Sequence, residues 1–155
     1  MQTTLCYIEK DNQYLMLHRI SKHNDPNRDK WLGVGGKFEK DESPEECMLR
    51  EVREETGLIV DEFKYRGIVT FVSNEWQETE YMHLFTVSEF HGEMIECDEG
   101  KLEWVNKDKL FNLPMWAGDR YFLNELQENN EFFSLKLVYY GNELKEVYKS
   151  GKRVI

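Results

Sequence analysis

The chain has little of what staples small or fibrous proteins. Its 155 residues include only three prolines, ten glycines and three cysteines. So little Pro and Gly excludes collagen-like and proline-rich linker classes. Cys6, Cys47 and Cys97 are odd in number and widely spaced, with no CxxC pair and no Cys/His pattern with His18, His23, His83 or His91. Neither a disulfide framework nor a structural zinc is expected, as in a reducing cytoplasm. No apolar run approaches the roughly 18 residues of a membrane span. The first residues show no basic stretch leading into an apolar one. The expectation is a cytoplasmic chain, neither exported nor membrane-spanning. Bases are also scarce: 20 Lys and Arg face 30 Asp and Glu, a net charge of −10. Such acidity disfavours nucleic-acid polymers and anionic membranes as partners. Any phosphorylated small molecule bound here needs a cationic mediator. The oligomeric state is not legible.

What is present argues for one folded domain spanning residues 1–155. Hydrophobic residues make up 40% and aromatics 14%, well outside the disordered range. The acidity is local. Residues 36–58 carry eight acids and four bases, and residues 75–100 carry eight acids and no Lys or Arg. Local acidity marks either a solvated face or a cation site.

Strand patterns cover Thr3–Glu9 and Gln13–Ile20 around a turn at Lys10-Asp11-Asn12, then Lys64–Ser73, Tyr81–Phe90 and Leu102–Val105. Ser21–Lys30 is polar and reads as a loop, and Trp31–Phe38 is Gly-rich. Ala117–Glu128 reads as a helix, and Phe132–Tyr140 with Glu143–Tyr148 as a hairpin around Gly141-Asn142. Lys145, Lys149, Lys152 and Arg153 read as a frayed C-terminal tail. The class is α+β, a mixed sheet between helical layers.

One helix is signalled unusually well. Ser43 can cap it, Pro44 suits its first position, Glu46 completes a capping box and Gly57 stops it. Helical periodicity over Pro44–Thr56 places Met48, Leu49, Val52 and Thr56 toward a core. It places Glu51, Glu54 and Glu55 on the opposite side, within about one third of the circumference. Those like charges repel at i,i+3 and i,i+4 spacing, and Glu54 and Glu55 oppose the helix dipole. A hard divalent cation would reverse both penalties, because carboxylate oxygens are what Mg²⁺ and Mn²⁺ prefer.

From Gly36 the chain runs Gly36, five residues, Glu42, seven residues, Arg50-Glu51-Val52, one residue, Glu54-Glu55, one residue, Gly57-Leu58. This resembles the Nudix box at every specified position. Chance coincidence is on the order of one in a million for this composition, so the pattern is taken as a family signature. The resemblance implies a Nudix α/β/α sandwich and hydrolysis of a nucleoside diphosphate linked to a further group. It implies Glu51, Glu54, Glu55 and the Gly35 carbonyl as ligands of Mg²⁺, for which Mn²⁺ may substitute. It also implies Arg50 as the residue that orients the carboxylates. Glu42 would hold the loop–helix–loop together, or merely cap. Gly36 and Gly57 are structural positions of the box.

Similarity to the MutT-type enzymes that clear oxidised purine nucleoside triphosphates extends further. Trp31 and Gly33-Val34-Gly35-Gly36-Lys37 resemble their entry segment, and Met115–Tyr121 resembles their Met-Trp-Pro-Asp-Asp-x-Tyr stretch. Cys97-Asp98-Glu99 resembles the stretch that supplies an extra acidic ligand, here Glu99, with Asp98 as the alternative. Thr4 aligns with a substrate-side threonine. The implied substrate contacts are Thr4, Lys22, Leu32, Lys37, Trp116 and Asp119. Trp116 offers a flat surface for stacking a purine, or a core aromatic. Asp119 can read a base edge, or serve as a helix N-terminal acid. Lys22 and His23 meet phosphates or base, or stand in a solvated loop. Two positions depart from those enzymes: Leu32 replaces an asparagine and Gly118 the first acid of a pair. The implied reaction is Mg²⁺-dependent hydrolysis of 8-oxo-dGTP or a related oxidised purine nucleotide to the monophosphate and pyrophosphate. Alternatives are ADP-ribose, a dinucleoside polyphosphate or an ordinary NTP as substrate, or a nucleotide-sensing module without turnover.

Overall fold

A computed structural model describes residues 1–155. Its core is a mixed sheet in the order β10 (Lys152–Arg153), β9 (Glu143–Lys149), β8 (Phe133–Tyr140), β5 (Ile59–Ser73), β6 (Glu80–His91), β1 (Gln2–Lys10), β2 (Gln13–His18) and β3 (Trp31–Leu32). The central strands are β1, β5, β6 and β8. β1 runs parallel to β6 and β5 parallel to β8; the remaining pairings are antiparallel. β2 carries β3 and β7 (Lys101–Asn106), while β4 (Val34–Lys37) pairs with the first half of β1. Asp11 and Asn12 form the β1–β2 turn, both at positive φ, a geometry that Asp and Asn tolerate well.

Alternation along the strands divides the core into two layers. Leu5 and Tyr7 pack on one face with Phe122, Leu123 and Leu126 of α2 (Asp119–Glu128). Cys6 and Ile8 pack on the other with Met48 and Val52 of α1 (Pro44–Thr56). This is the single-domain α/β/α arrangement of the Nudix fold. α1 is the longest helix, and no helix is long and apolar enough to cross a membrane.

α1 has the expected bounds, with both capping-box hydrogen bonds formed and Gly57 left-handed at φ +79°. Its buried arc differs from the expectation: Cys47 is buried and Leu49 is 38% exposed. Glu55 lies about 20° from Met48 on the helical wheel, since seven residues turn nearly two full circles. Glu51 and Glu55 therefore flank the buried face and do not stand opposite it. α2 begins at Asp119, because Ala117 and Gly118 form the preceding turn. β5 starts five residues before the expected Lys64, where three register shifts against β6 break the period-two pattern. A 3₁₀ turn at Lys107–Asn112 follows β7, capped by the Asn106 side chain. The expected frayed tail is ordered pairing: Lys145 and Lys149 lie in β9 (Glu143–Lys149), and β10 (Lys152–Arg153) folds back through Ser150 and Gly151, both at positive φ.

Candidate active site

One short glycine-containing strand, β4, brings α1 against β1. β4 passes so close to β1 that a Cβ on Gly35 would lie 1.9 Å from the Thr4 carbonyl oxygen. The carboxyl end of α1 then meets bare backbone at Gly35 and Gly36. A cleft of ≈ 580 Å³ opens there, lined by Glu51, Glu54, Glu55, Glu99, Arg50, Lys37, Arg19 and the two glycines, with Phe38 and Glu39 at its rim. Glu99 joins the α1 carboxylates in this cleft, whereas Asp98 does not line it.

Arg50 organises the acids. Its Nε and Nη2 make a bidentate pair with Glu42 at 2.7 and 2.9 Å. Nη1 donates to Glu51 at 2.8 Å and Glu54 at 3.1 Å, and Nη2 also to the Lys37 carbonyl at 3.0 Å. Glu42 accepts the Glu39 N–H as well, so the loop before α1 is tied to the helix. The Arg50 hydrogen bonds hold the Glu42 carboxyl down at about 2.

The other acids experience the reverse. Burial raises the Glu51 carboxyl, against the pull of Arg50. Burial pushes Glu55 well above the ordinary range, and the charges of Glu99 and Glu51 add to it. Glu55 Oε2 is buried without a hydrogen-bond partner. A buried, unpartnered carboxylate oxygen facing two further acids is a feature that a cation would resolve. The donor set is all oxygen, which suits Mg²⁺ or Mn²⁺. Arg50 now holds Glu51 and Glu54, and no three acidic side chains converge on one point. The residues thus fit a divalent ion, with the carboxylates drawn partly off Arg50 on binding.

The second set of expected residues lies on the α2 face. Trp116 is half-buried and packs edge-to-face with Tyr139, centroids 5.8 Å apart. Its indole N–H donates to Asn27 Oδ1 at 2.7 Å, and the Lys30 ammonium rests 4.6 Å over its ring. Asp119 is 4% exposed and its carboxyl accepts no hydrogen bond from the protein. Burial pushes that carboxyl up to about 8, with Lys30 opposing and Glu80 adding. The Trp31 N–H donates to the Pro114 carbonyl at 2.9 Å, which docks the Trp116 segment on β3. From Trp31 to Gly36 the chain spans at most about 18 Å, a distance that a nucleoside triphosphate can bridge.

Not every expected contact lies in these two places. Thr4 points toward α1: its hydroxyl is 3.4 Å from the Cys47 thiol. The adjacent Thr3 faces the Trp116 side, because neighbouring strand residues project oppositely. Lys22 and His23 stand exposed in the Ser21–Lys30 loop, away from the acidic cleft. Lys37 is exposed at the cleft edge, and Leu32 is half-buried in β3, paired with Leu17. Gly118 has no room for the acid found in similar enzymes: a Cβ would sit 2.6 Å from Leu137 Cδ1 and 2.7 Å from the Tyr139 hydroxyl. That hydroxyl accepts the Gly118 N–H instead. Sequence reading missed Arg19, Asn27 and Lys30. Arg19 supplies a cation to the cleft, pairing with Asp25 at 2.8 Å and Glu99 at 3.5 Å. Its place just after β2 was the available signal; nothing local marked Asn27 or Lys30.

Comparisons with known proteins agree with this architecture. The NUDIX domain model matches residues 2–126. The crystal structure of a mutator MutT protein from Bacillus halodurans superposes with a TM-score of 0.86 at 30% identity, covering 97% of this chain and 98% of that one. The uncharacterized Nudix hydrolase YvcI of Bacillus subtilis is 32% identical over 131 residues, 79% of this chain and 77% of the relative. The oxidized purine nucleoside triphosphate hydrolase of Danio rerio is 37% identical over 90 residues, 58% of each chain. Matched by the domain model over most of its length and sharing the architecture of a MutT protein, the chain belongs to the Nudix family as a hydrolase of the MutT type.

Proposed function

We propose that the protein hydrolyses oxidised purine deoxynucleoside triphosphates, 8-oxo-dGTP or a close relative, to the monophosphate and pyrophosphate. The observation that carries this is Asp119, a carboxyl 4% exposed that Lys30 influences, the same lysine whose ammonium rests over the half-buried indole of Trp116. A purine stacked on Trp116 in place of the Lys30 ammonium would meet Asp119 at its edge. The named activity of the Danio rerio relative supports the choice of substrate class.

The triphosphate would extend along β3 and β4 into the acidic cleft. Glu51, Glu54, Glu55, Glu99 and the Gly35 carbonyl would hold the divalent ions there. Bound metal neutralises the phosphate oxygens and acidifies the attacking water. Arg50 keeps Glu51 and Glu54 oriented, Glu42 anchors Arg50, and Arg19 and Lys37 meet phosphate charge from the cleft wall. The missing side chain of Gly36 leaves the Glu51 carboxylate room at the mouth of the cleft. A second reading, an ordinary nucleoside triphosphate as substrate, draws support from Leu32 and Gly118, which offer the base no hydrogen-bonding side chain.

The test is kcat/KM for 8-oxo-dGTP against dGTP with Mg²⁺, and identification of the products as monophosphate and pyrophosphate. A marked preference for the oxidised nucleotide is expected. Equal rates would overturn the sanitising role in favour of the second reading.

A further inference from the structure

The space beside Asp119 holds a second carboxylate, on a different element. Glu80 opens β6, directly across from Phe71 of β5. It lies two residues before Met82, which packs in the α2-side core, so its side chain leaves the sheet on the α2 face. Thr3, paired with Met82 across β1 and β6, donates its hydroxyl to Glu80 Oε2 at 2.6 Å. Glu80 Oε1 accepts nothing from the protein. Asp119 starts α2 over the same face, almost wholly buried and without a partner. Burying an unpaired carboxyl is costly unless a ligand group meets it.

We propose that Glu80, positioned by Thr3, is the second base-reading carboxylate of the Trp116–Asp119 pocket and selects purines whose edge presents adjacent N–H donors. This rests on the substrate reading above and deepens it to a base class. Gly118 leaves Asp119 without a neighbouring acid on its own helix, and Glu80 supplies one from the sheet. Both Glu80 and Lys30 act electrostatically on Asp119, one raising and one opposing its proton affinity. With Asp119 retaining its proton near neutral pH, the pair offers several acceptors and one donor. A guanine-type edge, with one oxygen acceptor beside its N1–H and amino group, matches that set. An adenine-type edge pairs its N1 and amino group with the protonated Asp119 carboxyl alone and leaves the Glu80 carboxylate without a donor. A site built for specific hydrogen bonds discriminates most strongly against a base that leaves its buried groups unpaired.

The experiment measures kcat and KM for dGTP, dATP and their 8-oxo forms with wild type, Glu80→Gln, Thr3→Val and Thr3→Ser, with thermal unfolding of each variant as a check on folding. Wild type should favour guanine nucleotides. Glu80→Gln replaces an acceptor by a donor and should lower the guanine-to-adenine ratio of kcat/KM by about 10- to 100-fold, chiefly through KM. Thr3→Val should produce a smaller drop in the same direction, and Thr3→Ser should restore the ratio. An unchanged ratio in folded Glu80→Gln would overturn the assignment. If wild type turned over 8-oxo-dGTP no better than dGTP, the oxidised-base reading would fail while the guanine-to-adenine ratio still judged Glu80.

Discussion

Gly36 faces Glu51 so closely that a Cβ on the glycine would sit 2.6 Å from the Glu51 carboxyl carbon. The β4 backbone and the α1 carboxylate therefore share one small volume at the mouth of the cleft. Gly36→Ala should push the flexible end of Glu51 aside, at a stability cost of about 1 kcal/mol or less. The displaced carboxylate should raise the Mg²⁺ concentration needed for half-maximal rate and lower kcat by roughly tenfold or more. Metal titration of the variant checks this; wild-type metal dependence would refute the proximity argument.

Glu55 is expected to be costly to the metal-free fold and essential to turnover. Glu55→Gln should reduce kcat at least about a hundredfold. In EDTA its thermal midpoint should equal or exceed that of wild type, since a buried carboxyl beside Glu99 and Glu51 becomes a neutral amide. EDTA should abolish wild-type activity, and Mg²⁺ or Mn²⁺ should restore it. Turnover in metal-free buffer would sink the metal role.

The Arg50–Glu42 pair predicts an acid-side stability change. Arg50 holds the folded Glu42 carboxyl at about 2, against 4.5 when unperturbed. Its contribution is present above the unfolded value and is lost as pH falls through that window. The stability gap between wild type and Glu42→Gln should therefore close between about pH 5 and pH 2. Urea denaturation across that range measures it, and a constant gap would contradict the ion pair.

Asp119 predicts the opposite slope. Its folded carboxyl titrates near 8, far above the unfolded value of 3.8. The folded state keeps a proton that the unfolded state releases, so stability is full below about pH 4 and declines as pH rises toward 8. Asp119→Asn has no such titration. Its stability relative to wild type should rise across that window, while kcat/KM for 8-oxo-dGTP falls by roughly 1–3 kcal/mol in transition-state terms. Parallel stability curves would place the carboxyl in water.

Local sequence was enough for α1 and the family. Ser43, Pro44, Glu46 and Gly57 act within one helical turn of the backbone they cap, so the bounds of α1 followed without any tertiary information. The spacing of Gly36, Glu42, Arg50, Glu51, Glu54, Glu55 and Gly57 named the loop–helix–loop in the same way. The hairpin turns at Asp11-Asn12 and Gly141-Asn142 were equally local.

What tertiary structure decided was direction and company. Thr4 read as substrate-side until pairing with β4 and α1 set which face of β1 it shows. Glu51 and Glu55 read as lying opposite the core-facing arc of α1, yet α1 lies on β4 so that they flank its buried face. The chain places Thr3, Lys30, Glu80 and Asp119 far apart, and no short-range pattern relates them. Sheet order and the docking of residues 114–119 on β3 bring them to the same face of the sheet, because side-chain chemistry fixes what a residue can do while long-range packing fixes what it meets.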